Sequence, residues 1–150
     1  ALADRGVAPA GAHAFLHPAL SRLSDPYSLP GTRAAAKRLW EAITGQQKIL
    51  VYGDYDTDGV TSAVLLCEVL SANGAQVECY LPHRIDDGYG LTPDAIEKAC
   101  DDTQALLITV DCGITSADAV AAARARGLDV IVTDHHEQDH GGHGATDQRV

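Results

Sequence analysis

A chain of 150 residues, 45% hydrophobic and 5% aromatic, has room for one ordinary domain with a real core. None of its apolar runs approaches the roughly 20 residues of a membrane span. A formal net charge of −10 argues against a broad basic face for grasping nucleic acid, but it leaves open an anionic substrate held through metal ions.

The start of the chain, with Asp4 and Arg5 early and no apolar stretch behind them, does not read as a secretory leader. The absence of methionine predicts a processed or partial sequence. Residues 1–31 are loop-rich, broken by Pro9, Pro18, Pro26 and Pro30. Phe15, Leu16, Leu20 and Leu23 can share one short apolar face. His13 and His17 are four apart and lack an acidic partner, so they read as a surface or packing pair. Thr32 caps a helix running to about residue 44, in which Ala36, Leu39, Trp40 and Ile43 form the one-sided stripe of a helix lying on a sheet. Gly45 ends it.

An alternation then begins. Residues 48–53 read as a strand, and 60–72 as a helix with Ala63, Val64, Cys67 and Leu70 inward. Asn73-Gly74 gives a left-handed stop. Residues 76–81 form a second strand, and 82–91 a loop rich in charge and glycine. Thr92-Pro93 opens a helix to about residue 100. A third strand, 105–110, runs into Asp111. Ser116 caps a helix to about residue 126, and Gly127 stops it. A fourth strand, 128–133, runs into Asp134-His135-His136. The strands are continuous apolar runs, as when both faces are covered. Strands alternating with helices in this way predict an α/β fold, a doubly wound parallel sheet, preceded by a loop-rich helical segment. Cys67, Cys79, Cys100 and Cys112 form no C-x-x-C pair and are expected to be buried free thiols, which suits a cytoplasmic protein.

In such sheets ligands bind beyond the carboxyl ends of the strands. Asp54, Asp56 and Asp58 follow the first strand, Asp111 the third, and Asp134, His135 and His136 the fourth. All should meet at one rim. Carboxylates gathered this closely repel one another unless cations hold them, although an acidic, solvated turn remains the plainer reading of residues 54–58 alone. Bridging carboxylates with imidazole suit Mn²⁺ or a similar ion better than Ca²⁺ or a structural zinc. Two such ions about 3.5–4 Å apart clamp a phosphoryl group, so the rim predicts a two-metal phosphoester or phosphoanhydride hydrolase. Asp56-Thr57-Asp58 also has the D-x-D spacing of aspartyl-phosphate phosphatases. That chemistry needs a nearby lysine, and none follows the third or fourth strand.

Gly-Asp-Tyr-Asp-Thr-Asp-Gly at 53–59, Val-Asp-Cys-Gly-Ile at 110–114 and Thr-Asp-His-His-Glu at 133–137 resemble the first three motifs of the DHH phosphoesterase superfamily. The resemblance is closest to its branch of single-strand-specific 5′→3′ DNA exonucleases. Arg5-Gly6, Phe15-Leu16 and Asp25-Pro26 in the lead-in add to it, as do His83-Arg84 and Gly88-Tyr89-Gly90-Leu91. It implies hydrolysis of single-stranded DNA with Mn²⁺ or Mg²⁺, in DNA repair and recombination. By position it implies Asp56, Asp58, Asp111 and His135 as metal ligands, Asp111 bridging. Asp54 becomes an outer ligand or an acceptor behind the others, His136 a ligand or a contact to the scissile phosphate, and Asp134 an orienting group. Arg84 would grip a phosphate or pair with Asp86 or Asp87, and Tyr89 would stack on a base or pack its loop.

The family continues past its third motif to a fourth aspartate and a smaller nucleic-acid-binding domain. Residues after Glu137 do not resemble it. The expected organisation is therefore a lead-in over 1–46, a partial DHH domain over 47–137 and a disordered polar tail over 138–150. The alternatives are a small-substrate relative acting on pyrophosphate, short oligonucleotides or cyclic dinucleotides, and an inactive metal-binding remnant.

Overall fold

The structure, a computed structural model, describes residues 2–83 and 90–137; Arg84, Tyr89 and the expected tail lie outside that set. Two compact units divide between Thr32 and Arg33. The first contains one short helix, α1 (Ala12–Leu16), among single turns of 3₁₀ helix. Asp25 holds one of these turns by accepting a hydrogen bond from Tyr27 N at 2.9 Å. Phe15, Leu16, Leu20 and Leu23, expected to share a packed face, are each more than half exposed, because elements this short present too little surface to bury one another. His13 and His17 face each other with ring centroids 4.6 Å apart.

The second unit is a parallel sheet with helices on both faces. Its strands are β1 (Lys48–Gly53), β2 (Gln76–Tyr80), β3 (Gln104–Val110) and β4 (Asp129–Thr133), in the order β2-β1-β3-β4. The helices are α2 (Thr32–Thr44), α3 (Thr57–Ala72), α4 (Pro93–Ala99) and α5 (Ala117–Ala125). Successive side chains of a strand point to opposite faces, and two cores result. Ile49, Val51, Leu106, Ile108 and Ile131 pack against α2 and α3. Leu50, Tyr52, Leu107 and Val130 pack against α4 and α5. Continuous apolar sequence therefore holds for β1 and β3, which are covered on both sides. It does not hold for β2, an edge strand whose Gln76, Glu78 and Cys79 are exposed.

Several expectations shift in detail. The buried stripe of α2 is Ala35, Leu39, Ala42 and Ile43, one step round from the expected one. Small Ala42 at the contact lets the helix approach the sheet, and Trp40 is 60% exposed. Val64 of α3, expected inward, is also exposed. Helix α3 starts three residues early, at Thr57, with Asp56 as its N-cap. Ser116 precedes α5 without a side-chain cap bond, whereas Thr92 does cap α4, accepting from Ala95 N at 3.1 Å. Leu107→Ala, at a fully buried site, should cost about 3 kcal/mol. Trp40→Ala should stay within about 0.5 kcal/mol. Urea midpoints compare the two, and equal losses would place the indole in the core.

The four cysteines are free, but only Cys100 and Cys112 are buried; Cys67 is half-buried and Cys79 exposed. Burial, reinforced by the charges of Asp54, Asp134 and Asp111, pushes the Cys112 thiol up to about 12. Iodoacetamide at pH 8 should thus label Cys79 and leave Cys112 unmodified until the protein is denatured, as read by mass spectrometry.

Candidate metal centre

The register of the sheet builds the site. Gly53 pairs with Val110, and Val110 with Thr133. The residues that follow these three, Asp54, Asp111 and Asp134, therefore leave the sheet side by side. The first two leave from β1 and β3, where the chain order of the sheet reverses, the usual ligand crevice of an open α/β sheet.

After β1 the chain turns at once into α3. Asp54 is buried, and its Oδ1 accepts a hydrogen bond from Tyr55 N at 2.6 Å. The Asp56 carboxylate caps the helix, accepting from Asp58 N at 2.9 Å and Gly59 N at 3.0 Å. The Gly59 N–H in particular holds the Asp56 carboxyl below the usual carboxylate range. Asp58 lies in the first turn of α3.

Asp111 adopts a left-handed backbone conformation, φ 61°, which a non-glycine residue takes only when its surroundings enforce it. Its N–H donates to Thr133 O at 2.9 Å. The hydroxyl of Thr109 donates to Cys112 O at 2.8 Å, and that of Thr133 to Thr109 O at 2.7 Å, bracing the turn from both sides. The Asp111 side chain is thereby held inside the rim, with both carboxylate oxygens buried and neither accepting an aligned hydrogen bond. His135 Nε2 approaches Oδ1 to 2.8 Å. Burial pushes the Asp111 carboxyl up, the touching Asp56 carboxylate pushes it further, and His135 opposes both.

Asp134 faces its own neighbours. Its Oδ2 accepts from Ile114 N at 3.0 Å, and its Oδ1 from His136 N at 3.1 Å. His136 Nδ1 lies 2.7 Å from the same Oδ1. Burial works against its ionisation, but these bonds outweigh it and keep the Asp134 carboxyl low. The hydrogen bond that the His136 ring donates to Asp134 in turn raises the imidazole and fixes its orientation.

Donor atoms of Asp111, His135 and His136 all lie within 4.8 Å of one another. Asp58, Asp111, Asp134 and His135 line a cleft of about 360 Å³ together with Thr61, Ser62, Val110 and Thr133. The rim thus brings together Asp56, Asp58, Asp111, His135 and His136, with Asp54 buried close enough to influence the charge of His136. A buried carboxylate whose oxygens accept no aligned hydrogen bond, ringed by carboxylate and imidazole donors, fits a divalent cation. Sequence reasoning missed the strained backbone at Asp111, the threonine braces, and Ser62 in the cleft wall. Threonines at the ends of β3 and β4 were the one visible signal for the braces.

The family model for the DHH family, N-terminal domain, matches residues 48–148. The single-stranded-DNA-specific exonuclease RecJ of Bacillus subtilis is 43% identical over 126 residues, covering 84% of this chain and 16% of that protein. RecJ of Thermus thermophilus is 39% identical over 136 residues, covering 87% of this chain and 20% of that protein. Among solved structures, exonuclease RecJ bound to manganese superposes with a TM-score of 0.68 at 41% identity, over 73% of this chain and 28% of the other. RecJ from Thermus thermophilus in complex with Mn²⁺ gives 0.63 at 38% identity, over 83% and 17%. This chain therefore spans about a fifth or less of the length of these curated relatives. With the family model matched across most of its length and its motif residues gathered at one rim, the chain belongs to the DHH family, whose N-terminal domain it carries.

Proposed function

We propose that this chain supplies the cation-binding catalytic wall of a single-stranded-DNA exonuclease that degrades from the 5′ end and serves DNA repair and recombination in the cytoplasm. The observation that carries the reading is Asp111: buried, with no aligned hydrogen bond at either oxygen, and touched by Asp56 and His135. Asp56, Asp58, Asp111 and His135 would hold Mn²⁺ or Mg²⁺, with Asp54 behind them. The relatives named for this substrate, and the RecJ structures bound to manganese, support that choice. The bound cations supply Lewis-acid activation of water and offset charge on the phosphoryl oxygens. The protein's own groups do the rest. Asp134 holds the His136 ring so that it can meet a phosphoryl oxygen, and Arg84 is assigned a second grip on the phosphate. Residues 47–137 would constitute the catalytic domain present here, with 1–46 as its lead-in.

Calorimetric titration with Mn²⁺, followed by an end-labelled single-strand assay beside a pyrophosphate assay, tests this. Cation uptake with release of nucleotides and no attack on pyrophosphate supports the reading. Preference for pyrophosphate removes the nuclease, and failure to take up Mn²⁺ removes the metal centre.

A further inference from the structure

Three hydroxyls line the cleft beside Asp111 among the described residues: Thr61, Ser62 and Thr133. Two are committed. Thr61 Oγ1 donates to Thr57 O at 2.7 Å, the usual back-bond of a hydroxyl residue within a helix. Thr133 Oγ1 donates to Thr109 O at 2.7 Å. Ser62 differs: among the described residues its hydroxyl has no hydrogen-bond partner. The carbonyl it would ordinarily reach one turn back, Asp58 O, is already approached by Thr61 Oγ1 at 3.3 Å. Ser62 is half-buried and sits on α3, a helix fixed at its start by the Asp56 cap. The other polar walls of the cleft are three carboxylates, those of Asp58, Asp111 and Asp134, and the His135 ring that touches one of them.

A phosphate entering such a cleft meets acids that repel it wherever a cation does not intervene. An uncommitted neutral donor on a rigid element is what an anionic oxygen needs there. We propose that Ser62 Oγ donates a hydrogen bond to a non-bridging phosphoryl oxygen of the substrate, making it a substrate-contacting residue of the cleft. The proposal rests on the cation-dependent nuclease reading. It assigns Ser62 to the phosphate and not to the cations, since a neutral hydroxyl is a weaker ligand for a hard divalent cation than the carboxylates that share the cleft, among them Asp58 one turn earlier on the same helix.

The test is calorimetry of the 150-residue chain, with Mn²⁺ titrated first and thymidine 5′-monophosphate second, on wild type, Ser62→Ala and Ser62→Thr. Mn²⁺ affinity should stay within about twofold in both variants. Affinity for the monophosphate should fall about tenfold or more in Ser62→Ala, the range for a hydrogen bond to a charged group, and return to within about threefold of wild type in Ser62→Thr. Unchanged monophosphate affinity in Ser62→Ala overturns the proposal, as does loss of Mn²⁺ affinity in that variant. So does a wild-type chain that binds Mn²⁺ but no monophosphate. A wild type that binds no Mn²⁺ overturns the function reading, and this proposal with it.

Discussion

Asp111→Asn is expected to raise the melting temperature of the cation-free protein while abolishing the stabilisation that Mn²⁺ gives to wild type. The carboxylate is buried, has no aligned hydrogen bond and touches Asp56, so its charge costs stability until a cation offsets it. Asparagine keeps the shape, tolerates the left-handed backbone at φ 61°, and removes the charge. At a free cation concentration one hundred times Kd, wild type should gain about 2.7 kcal/mol, or roughly 5–11 °C in a chain of this size. The variant should gain none.

The pH dependence follows from the direction of the shift. Burial and Asp56 raise the Asp111 carboxyl in the folded state. Its contribution is therefore fully present below the ordinary carboxylate pKa and is lost as pH climbs through the raised value. Without cation, wild type should fall progressively further behind Asp111→Asn across that window. Thermal melts with and without Mn²⁺ at several pH values measure both effects. A variant that still responds to Mn²⁺ like wild type would falsify the assignment of Asp111 to the cations.

Gly59→Ala should be the most damaging single-methyl change near the rim. A Cβ there would lie 2.3 Å from Asp54 O and 2.6 Å from both Asp54 C and Asp54 N. All three are backbone atoms of the turn that carries the acids, so no side chain can swing aside. Relief requires α3 to back away from β1, which takes the Asp56 cap and Asp58 with it. The expected loss is about 3 kcal/mol, the upper end for overpacking, together with weakened Mn²⁺ binding. Gly74→Ala is the control. Its φ of 82° disfavours alanine, but nothing lies within 4 Å of the added carbon, so the cost should be about 1–2 kcal/mol with Mn²⁺ affinity unchanged. Denaturant unfolding and calorimetry separate the two variants. Equal losses, or intact cation binding in Gly59→Ala, would mean the close approach of α3 to Asp54 is dispensable.

Local sequence carried much of the plan. The apolar runs 48–53 and 105–110 bracket β1 and β3 to within a residue, because a strand covered on both faces leaves no polar position to blur its ends. Thr92-Pro93 announced α4 through its cap, and Asn73-Gly74 marked the end of α3. Helical faces were less legible. In α2, the expected stripe of Ala36, Leu39, Trp40 and Ile43 holds at Leu39 and Ile43, but Ala35 and Ala42 take the places expected for Ala36 and Trp40. The choice fell to the small Ala42, whose value lies in how near it lets two elements come. Edge strands misled in a similar way: β2 reads with the others as a covered apolar run, yet it lies at the sheet edge with Gln76, Glu78 and Cys79 exposed, and only the interior β1 and β3 are enclosed.

What the chain's order of residues determined was the alternation of strands and helices and the placing of Asp54, Asp111 and Asp134 directly after strand ends, since both depend on interactions between near neighbours. The tertiary structure alone decided that these ends align in one row through the pairs Gly53–Val110 and Val110–Thr133. It also decided that Asp111 is held in a left-handed turn with its oxygens buried, and that Ser62 of α3 lines the cleft beside it. The reason is physical: register, burial and competition for hydrogen-bond partners are set by segments distant in sequence, and they exist only once those segments meet.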